Sequence, residues 1–509
     1  MSFRLVSTPL GRAVPVPSAR VGGVDPELLE ACIEAPGTAP LLERLRQPGV
    51  LAVTTGQQPA LLTGPLYTVH KALSAAALAR ELEARWGRPV VPIFWVAGDD
   101  HDFAEANHAS WIDADGRVAR ASLAPRPADA PLTPLYRELL GGEIEELLHR
   151  FAASLPDTVF RAPAMGWLRR HFRPHVSMAA AFGGALAELL APLGIVCLDS
   201  THPAFKRAAA PLLIRALEEA VPIDRLLSTR ASELIASDRD PGVAVGAGAS
   251  LVMVEGAAGR DRLVSSGTAF ATRRGGERFT LDALRAIARD DPSRLSPNVL
   301  LRPVIESALL PTVAYAAGPG ELRYLPLAAP LYRHLGVEQQ AAVPRWSGIV
   351  VETRVDRALE KFGLRLEDLA EPLPSLEHRV LRSRLPGDAE TDLSRLRKTV
   401  AEGYDAVAQT ASAIDPTLVR SVEGRRDRAL DSIARIERRL VGHLRRRAEI
   451  ELRQLAAAHA SVYPDGTPQE RVLVAPSFLA RHGPPLLDAT LAAATDWYRS
   501  ALEGRPAPA

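Results

Sequence analysis

Asp99, Asp100, His101, Asp102 and Glu105 follow one another within VVPIFWVAGDDHDFAEANH, residues 90–108, directly after an uncharged run from Val90 to Gly98. Burying such groups without partners costs several kcal/mol per charge. They must therefore face solvent, a cation, a substrate amine or one another. Asp100 and His101 are candidate catalytic groups, able to move a proton. Asp99 and Asp102 are candidate substrate ligands. Asp99, Asp100 and Asp102 could also hold a divalent cation. The His101-Asp102 dipeptide invites comparison with metal phosphohydrolases, but their sites are built on helices, whereas this pair follows an apolar, strand-like run.

Two further stretches offer chemistry. TTGQQPALLTGPLYTVHK, residues 54–71, contains Gly56 and Gly64, which permit close backbone approach, and the hydrogen-bonding groups of Gln57, Gln58, Thr63 and Tyr67. His70 and Lys71 fall in the first turn of a predicted helix, where an anion is favoured. Neither G-x-x-x-x-G-K-[ST] nor G-x-G-x-x-G occurs there. LDSTHP, residues 198–203, brings Ser200 and His202 after Asp199, with Lys206 one helical turn later. No G-x-S-x-G elbow surrounds Ser200, which argues against a serine nucleophile. Further on, NVLLRPVIES places Arg302 and Glu306 near Tyr315, and AAGPGELRY supplies Gly318, Gly320 and Glu321 at a turn opening a helix.

Positioning such groups together needs a sheet whose strands end at one edge. Residues 50–110 form a βαβ pattern: the short β-branched run VLAVTT, a turn-rich loop, a helix over about 68–86 closed by Gly87 and Pro89, and the apolar strand VVPIFWVA. GIVCLDSTHP and LLPTVAYAAGPGELRYLPLAAPLYRHLG repeat the strand–loop–helix order, and 341–352 offers a last strand. The predicted fold class is α/β, a doubly wound parallel sheet, and ligands of such sheets bind outside the carboxyl ends of the strands. Residues 1–370 form this core, with a largely helical insertion over about 112–190 and a mixed α/β insertion over about 225–295. In 388–460 Leu393, Leu396, Val400, Tyr404 and Val407 are spaced three and four apart. Asp415-Pro416 interrupts, and Leu430, Ile433, Ile436, Leu440 and Leu444 resume. Residues 371–465 therefore read as an antiparallel coiled coil, a natural dimerisation element. Residues 466–509 return to mixed apolar character and should pack back on the core.

The totals narrow the classes. A chain of 509 residues, 47% hydrophobic and 24% charged, suits a globular protein of several domains. A net charge of +1 gives no general reason to expect nucleic acid, and GRRDR and HLRRRAE read as solvated coiled-coil flanks. No run of eighteen apolar residues predicts a membrane span, and the first residues lack the apolar region of a secretory signal. Cys32 and Cys197 alone exclude a disulfide framework and suggest a reducing cytoplasm; both read as buried apolar residues. Lys71 and Lys206 are two of only four lysines in an arginine-rich chain.

Taken together, TGQQPALLTGPLYTVHK, PVVPIFWVAGDDHDFAEANH, GIVCLDSTH, PNVLLRPVIES, AYAAGPGELRY and YPDGTPQERV resemble the BshC family, cysteine-adding enzymes of bacillithiol biosynthesis. The resemblance implies a cytoplasmic, homodimeric ligase with a Rossmann-type core and a C-terminal coiled coil. It also implies the acylation of the free amine of glucosaminyl-malate by L-cysteine. The layout is similar to that of class I aminoacyl-tRNA synthetases, but only His70 corresponds to their H-I-G-H signature and no K-M-S-K-S motif occurs. Amide formation from a free carboxylate is uphill, so ATP, or a site for ADP, is expected, with Mg2+ as a further candidate. On this reading Gly56, Gln57, Gln58, Thr63, Gly64, Tyr67, Lys71, Gly318 and Gly320 hold the nucleotide, aided by His70 as a catalytic group. Asp99, Asp102, Ser200, His202, Lys206, Arg302, Glu306, Tyr315 and Glu321 hold substrate, with Arg302 and Lys206 answering the malate carboxylates. The alternatives are a metal-dependent hydrolase using the Asp/His cluster and a non-catalytic nucleotide-binding scaffold.

Overall fold

The computed structural model describes residues 3–8, 10–11, 14–267, 269–384 and 387–504. Two compact units emerge. One contains residues up to Ala114, Val118–Val350 and the chain from Gln469 onward; the other contains Asp115–Arg117 and Val351–Pro468.

The first unit is built on a parallel five-stranded sheet. Its order is Ala341–Pro344, Thr312–Ala317, Leu51–Gln57, Val90–Val96 and Val196–Asp199. Every residue of Val90–Val96 is buried, as a strand covered on both faces requires. The register sets Gln57 beside Val96 and Val96 beside Asp199, so three neighbouring strands end level. Their loops then emerge at one rim, which is how distant sequence segments come together. Gly56 is required by packing: a Cβ there would lie 2.8 Å from both the Cβ and the carbonyl oxygen of Trp95. The helix Tyr67–Trp86 covers the sheet and stops at Gly87, whose φ of 62° is the left-handed conformation glycine supplies at little cost.

Two local expectations change. The stretch over about 112–190 contains the helices Glu143–Ser154, Arg161–His171 and Met178–Leu190, but a β-hairpin, His108–Ile112 with Val118–Ser122, leads into it. Its second strand, VARAS, has too little apolar alternation to announce itself. The run 341–352 divides: only Ala341–Pro344 joins the parallel sheet, while the strand Gly348–Glu352 lies in a separate two-stranded pairing. Within 225–295 an antiparallel sheet forms, ordered Arg278–Thr280, Ala269–Thr272, Gly259–Ser266, Ala249–Gly256 and Leu295–Pro297. The helix Ala220–Ala236 precedes it. From Gln469 on, the helix Pro485–Leu502 lies against Tyr67–Trp86.

The second unit is helical. Gly387–Ile414 and Val419–Arg447 fold back on each other, and Ile433 and Val441 are buried in their neighbourhood. The reversal is set by Asp415, whose carboxylate accepts from the Thr417 N–H at 2.8 Å and starts the short turn Pro416–Leu418. Arg426 pairs with Asp405 across the hairpin at 2.8 Å. Among the described residues no helix is long and apolar enough to cross a membrane.

Candidate functional site

A cleft of about 340 Å3 opens at the carboxyl rim of the parallel sheet. It gathers Gly56, Gln57, Gln58, Asp99, Asp100, His101, Ser200, Arg302, Tyr315 and Glu321 into one lining. The inserted sheet closes the other side with Met253, Arg260 and Arg262, and Trp95, Asn298 and Tyr324 complete the wall.

The floor is a continuous polar network. Thr54 Oγ1 donates to Glu306, and Arg302 donates to the other oxygen of Glu306 at 2.8 Å. Arg302 also donates to the Tyr315 hydroxyl at 3.2 Å, and Tyr315 donates to Glu321 at 2.5 Å. Glu321 pairs with Lys71 at 2.8 Å, and Lys71 donates in addition to the Gly56 carbonyl. Each charge thus has a partner, which burial demands. Burial pushes the Lys71 ammonium below its ordinary value despite the pull of Glu321. Burial likewise raises the Glu306 carboxyl, with Arg302 opposing it. Glu306, fully buried, supports Arg302 from behind and does not line the cleft.

The acidic loop is held from the other side. Lys206 donates to Asp99 at 2.5 Å and to the Leu295 carbonyl at 3.0 Å, tying the loop to the edge of the inserted sheet. Asp100 accepts from the Asp102 N–H at 2.9 Å. Asp102 itself caps the short helix Phe103–Ala106 and lines a neighbouring hollow that shares His101. Arg260 Nη1 lies 3.1 Å from His101 Nδ1. A guanidinium can only donate, so Nδ1 accepts and the ring proton sits on Nε2. Burial first, and then the Arg260 charge, pushes His101 below its ordinary value, against Asp100 and Asp102. His101 is thus a neutral N–H donor at the cleft wall, with its basic nitrogen already engaged.

Several residues expected at the site lie elsewhere. His70 is buried against Trp346 and contacts Glu470 at 2.9 Å; Glu470 in turn accepts two bonds from Arg345 at 2.6 and 2.8 Å. Its place in the first helical turn suggested an anion site, but that turn is covered. Leu66 N–H donates to the Leu473 carbonyl and Pro65 bridges to Val474, which seals Thr63 and Gly64 inside as well. Lys71 is committed to Glu321, and Tyr67 accepts from Gln57 at 3.1 Å behind the lining. Of the 54–71 stretch, Gly56, Gln57 and Gln58 reach the cleft, while Thr63, Gly64, Tyr67, His70 and Lys71 are covered or already paired. His202 caps its own helix by accepting from the Ala204 N–H at 3.3 Å. Gly318 donates its N–H to Glu321 at 2.7 Å, so the helix start at Gly318–Gly320 is already filled by a carboxylate. Ser200 lines the cleft, but its hydroxyl donates to the Val96 carbonyl at 2.8 Å. Burial raises the Cys32 thiol to about 12 and the Cys197 thiol further, which leaves neither as a nucleophile.

Arg260 and Arg262 were not legible as site residues: they lie in an insertion, and nothing in RDRLV marks which side faces the core rim. Among the described residues no group of three His, Cys, Asp or Glu side chains is arranged to hold a metal ion.

Fold and cleft together define a Rossmann-like α/β protein with a polar site at the carboxyl rim of its parallel sheet, joined to a helical coiled-coil unit. Comparison with known proteins agrees. Residues 30–346 match "Bacillithiol biosynthesis BshC, N-terminal Rossmann-like domain", and residues 348–496 match "Bacillithiol biosynthesis BshC, C-terminal coiled-coil domain". A protein of Salinibacter ruber named "Putative cysteine ligase BshC" is 32% identical over 88% of this chain and 81% of its own length. One of Koribacter versatilis with the same name is 33% identical over 89% and 83%. A third, from Symbiobacterium thermophilum, is 31% identical over 87% and 82%. The chain belongs to the BshC family.

Proposed function

We propose that this chain is a carbon–nitrogen ligase that joins the carboxyl group of L-cysteine to the amine of glucosaminyl-malate, the last step of bacillithiol biosynthesis. The observation that carries this reading is the cleft itself: carboxylates on one wall, guanidiniums on another, and a neutral imidazole N–H between them. That arrangement suits a substrate with an amine at one end and carboxylates at the other. Asp99 and Asp100 receive the ammonium, and Asp100 accepts the proton the amine must lose before it attacks. His101 donates its Nε2 proton as a hydrogen bond to the carbonyl oxygen as charge develops there, a role that needs the neutral ring. Arg302, fixed by Glu306 and Tyr315, supplies positive potential without becoming mobile.

A nucleotide supplies the free energy for amide formation. Only Gly56, Gln57 and Gln58 of the loop expected to hold its phosphates reach the cleft, and no step is assigned to the nucleotide. Any Mg2+ would arrive with the nucleotide. We further propose a cytoplasmic enzyme that dimerises through its coiled coil, where Leu396, Val407, Ile436 and Leu440 are exposed apolar side chains. Light scattering tests the dimer.

The function is tested by incubating the purified protein with L-cysteine, glucosaminyl-malate and ATP and following the condensed thiol, AMP and ADP by mass spectrometry. Asp100→Ala and His101→Ala should abolish product while leaving the unfolding transition in place. Full activity in both variants would overturn the placement.

A further inference from the structure

We infer that Arg262, with Arg260 beside it, forms a subsite for a dicarboxylate in the inserted antiparallel sheet. Strand alternation puts Arg260 and Arg262 of Gly259–Ser266 on one face, lining the cleft, and Asp261 and Leu263 on the other. Arg260 is 9% exposed, yet among the described residues every acceptor it holds is uncharged: Ser296 Oγ at 2.8 Å, the Pro297 carbonyl at 2.7 Å and His101 Nδ1 at 3.1 Å. The intervening carboxylate is turned away from the cleft. Asp261 accepts from the backbone N–H groups of Arg262 at 2.7 Å, Arg274 at 2.5 Å and Gly275 at 3.0 Å. Among the described residues the half-buried Arg262 guanidinium has no hydrogen-bonded or ion-paired partner.

The other cations around the cleft are occupied. Arg302 is held by Glu306, Lys71 by Glu321 and Lys206 by Asp99. Arg302 and Lys206, the sequence candidates for binding carboxylates, are each already paired with a protein carboxylate, whereas Arg262, among the described residues, is not. Two like charges on one strand face, partly withdrawn from water, are unfavourable until an anion joins them. Burial, then the Arg273 and Arg260 charges, lowers the Arg262 guanidinium below its ordinary value, against the opposing pull of Asp261. Residues two apart on a strand stand about 7 Å from each other. Two planar guanidiniums at that spacing can each address one carboxylate of a short dicarboxylic acid. The assignment of this dicarboxylate to the malate end of the substrate rests on the ligase reading above; the subsite itself does not.

The test measures binding without turnover. L-malate and inorganic phosphate are titrated calorimetrically into the full-length protein, wild type, Arg262→Gln and Arg262→Lys. Malate should bind the wild type, bind R262Q on the order of tenfold or more weakly, and recover in part with R262K. Phosphate at equal concentration should not displace it. An unchanged urea midpoint in R262Q shows that the loss is local. Malate affinity unaltered in R262Q, or displacement by phosphate at equal concentration, overturns the subsite. Malate bound through Arg262 in a protein that makes no amide would refute the ligase reading and leave the subsite standing. Product formed by R262Q at the wild-type KM for the malate-bearing substrate would do the reverse.

Discussion

Replacing Glu470 by Gln should show that His70 belongs to a buried structural network with Glu470 and Arg345. Glu470 holds Arg345 through two bonds, at 2.6 and 2.8 Å, and meets His70 at 2.9 Å; the Arg345 and Glu470 side chains are 2% and 8% exposed. Burial alone would push Glu470 up, but the hydrogen bonds from His70 and Arg345 outweigh it and hold the carboxyl well below the usual range. Burial lowers His70, so the ring is neutral and donates Nδ1–H to the carboxylate. Among the described residues its Nε2 has no partner, which a neutral acceptor nitrogen tolerates and an imidazolium N–H would not. Gln keeps one acceptor oxygen but removes the charge that balances Arg345, a loss of about 3 kcal/mol. The sign with pH follows from the depressed carboxyl: its contribution is complete above the unfolded value of about 4.3 and fades as pH falls below it. Between pH 7 and pH 3 the wild type should lose roughly 2 kcal/mol from this group, and E470Q should lose none of it. Urea denaturation at both pH values, followed by tryptophan fluorescence, measures the difference. A loss under about 1 kcal/mol at pH 7, or the same acid sensitivity in both proteins, refutes the reasoning.

Other outcomes follow from single contacts. Gly56→Ala sets a Cβ 2.8 Å from Trp95 backbone and Cβ atoms on a fully paired strand, so it should cost about 1–3 kcal/mol in urea and weaken turnover with it. Lys206→Met leaves Asp99 without its cation in a site 13% exposed and should destabilise by about 3 kcal/mol; adding Asp99→Asn should recover part of that, a positive coupling measured by a double-mutant cycle. His101, lowered by burial and by Arg260, should remain neutral through pH 6.5 and above; labelled-histidine NMR that finds its midpoint above 6.5 would contradict the Nε2–H assignment. Because the folded state resists this proton, His101 removes stability as pH falls below about 6.5, while the unfolded chain takes the proton up.

Much of the architecture was legible because it rests on local rules. The apolar run Val90–Val96, the Gly87 stop and the Asp415-Pro416 break each reflect a backbone or burial constraint carried by a few adjacent residues. The acidic loop after Val96 could be assigned to a strand end, and strand ends of a parallel sheet converge. Which side chains reach the cleft was a different matter. His70, Thr63 and Gly64 are sealed because Leu473 and Val474, four hundred residues downstream, dock over the helix start. Arg260 reaches His101 because the inserted sheet folds over the rim, and Lys71 is paired by Glu321 from the first turn of the helix Pro319–His334. Sequence determined that charged and apolar residues would separate along the chain and where its strands would end. Only the tertiary structure decided which charges cancel within the protein and which are left for a ligand, because pairing depends on contacts between segments whose separation in sequence carries no signal.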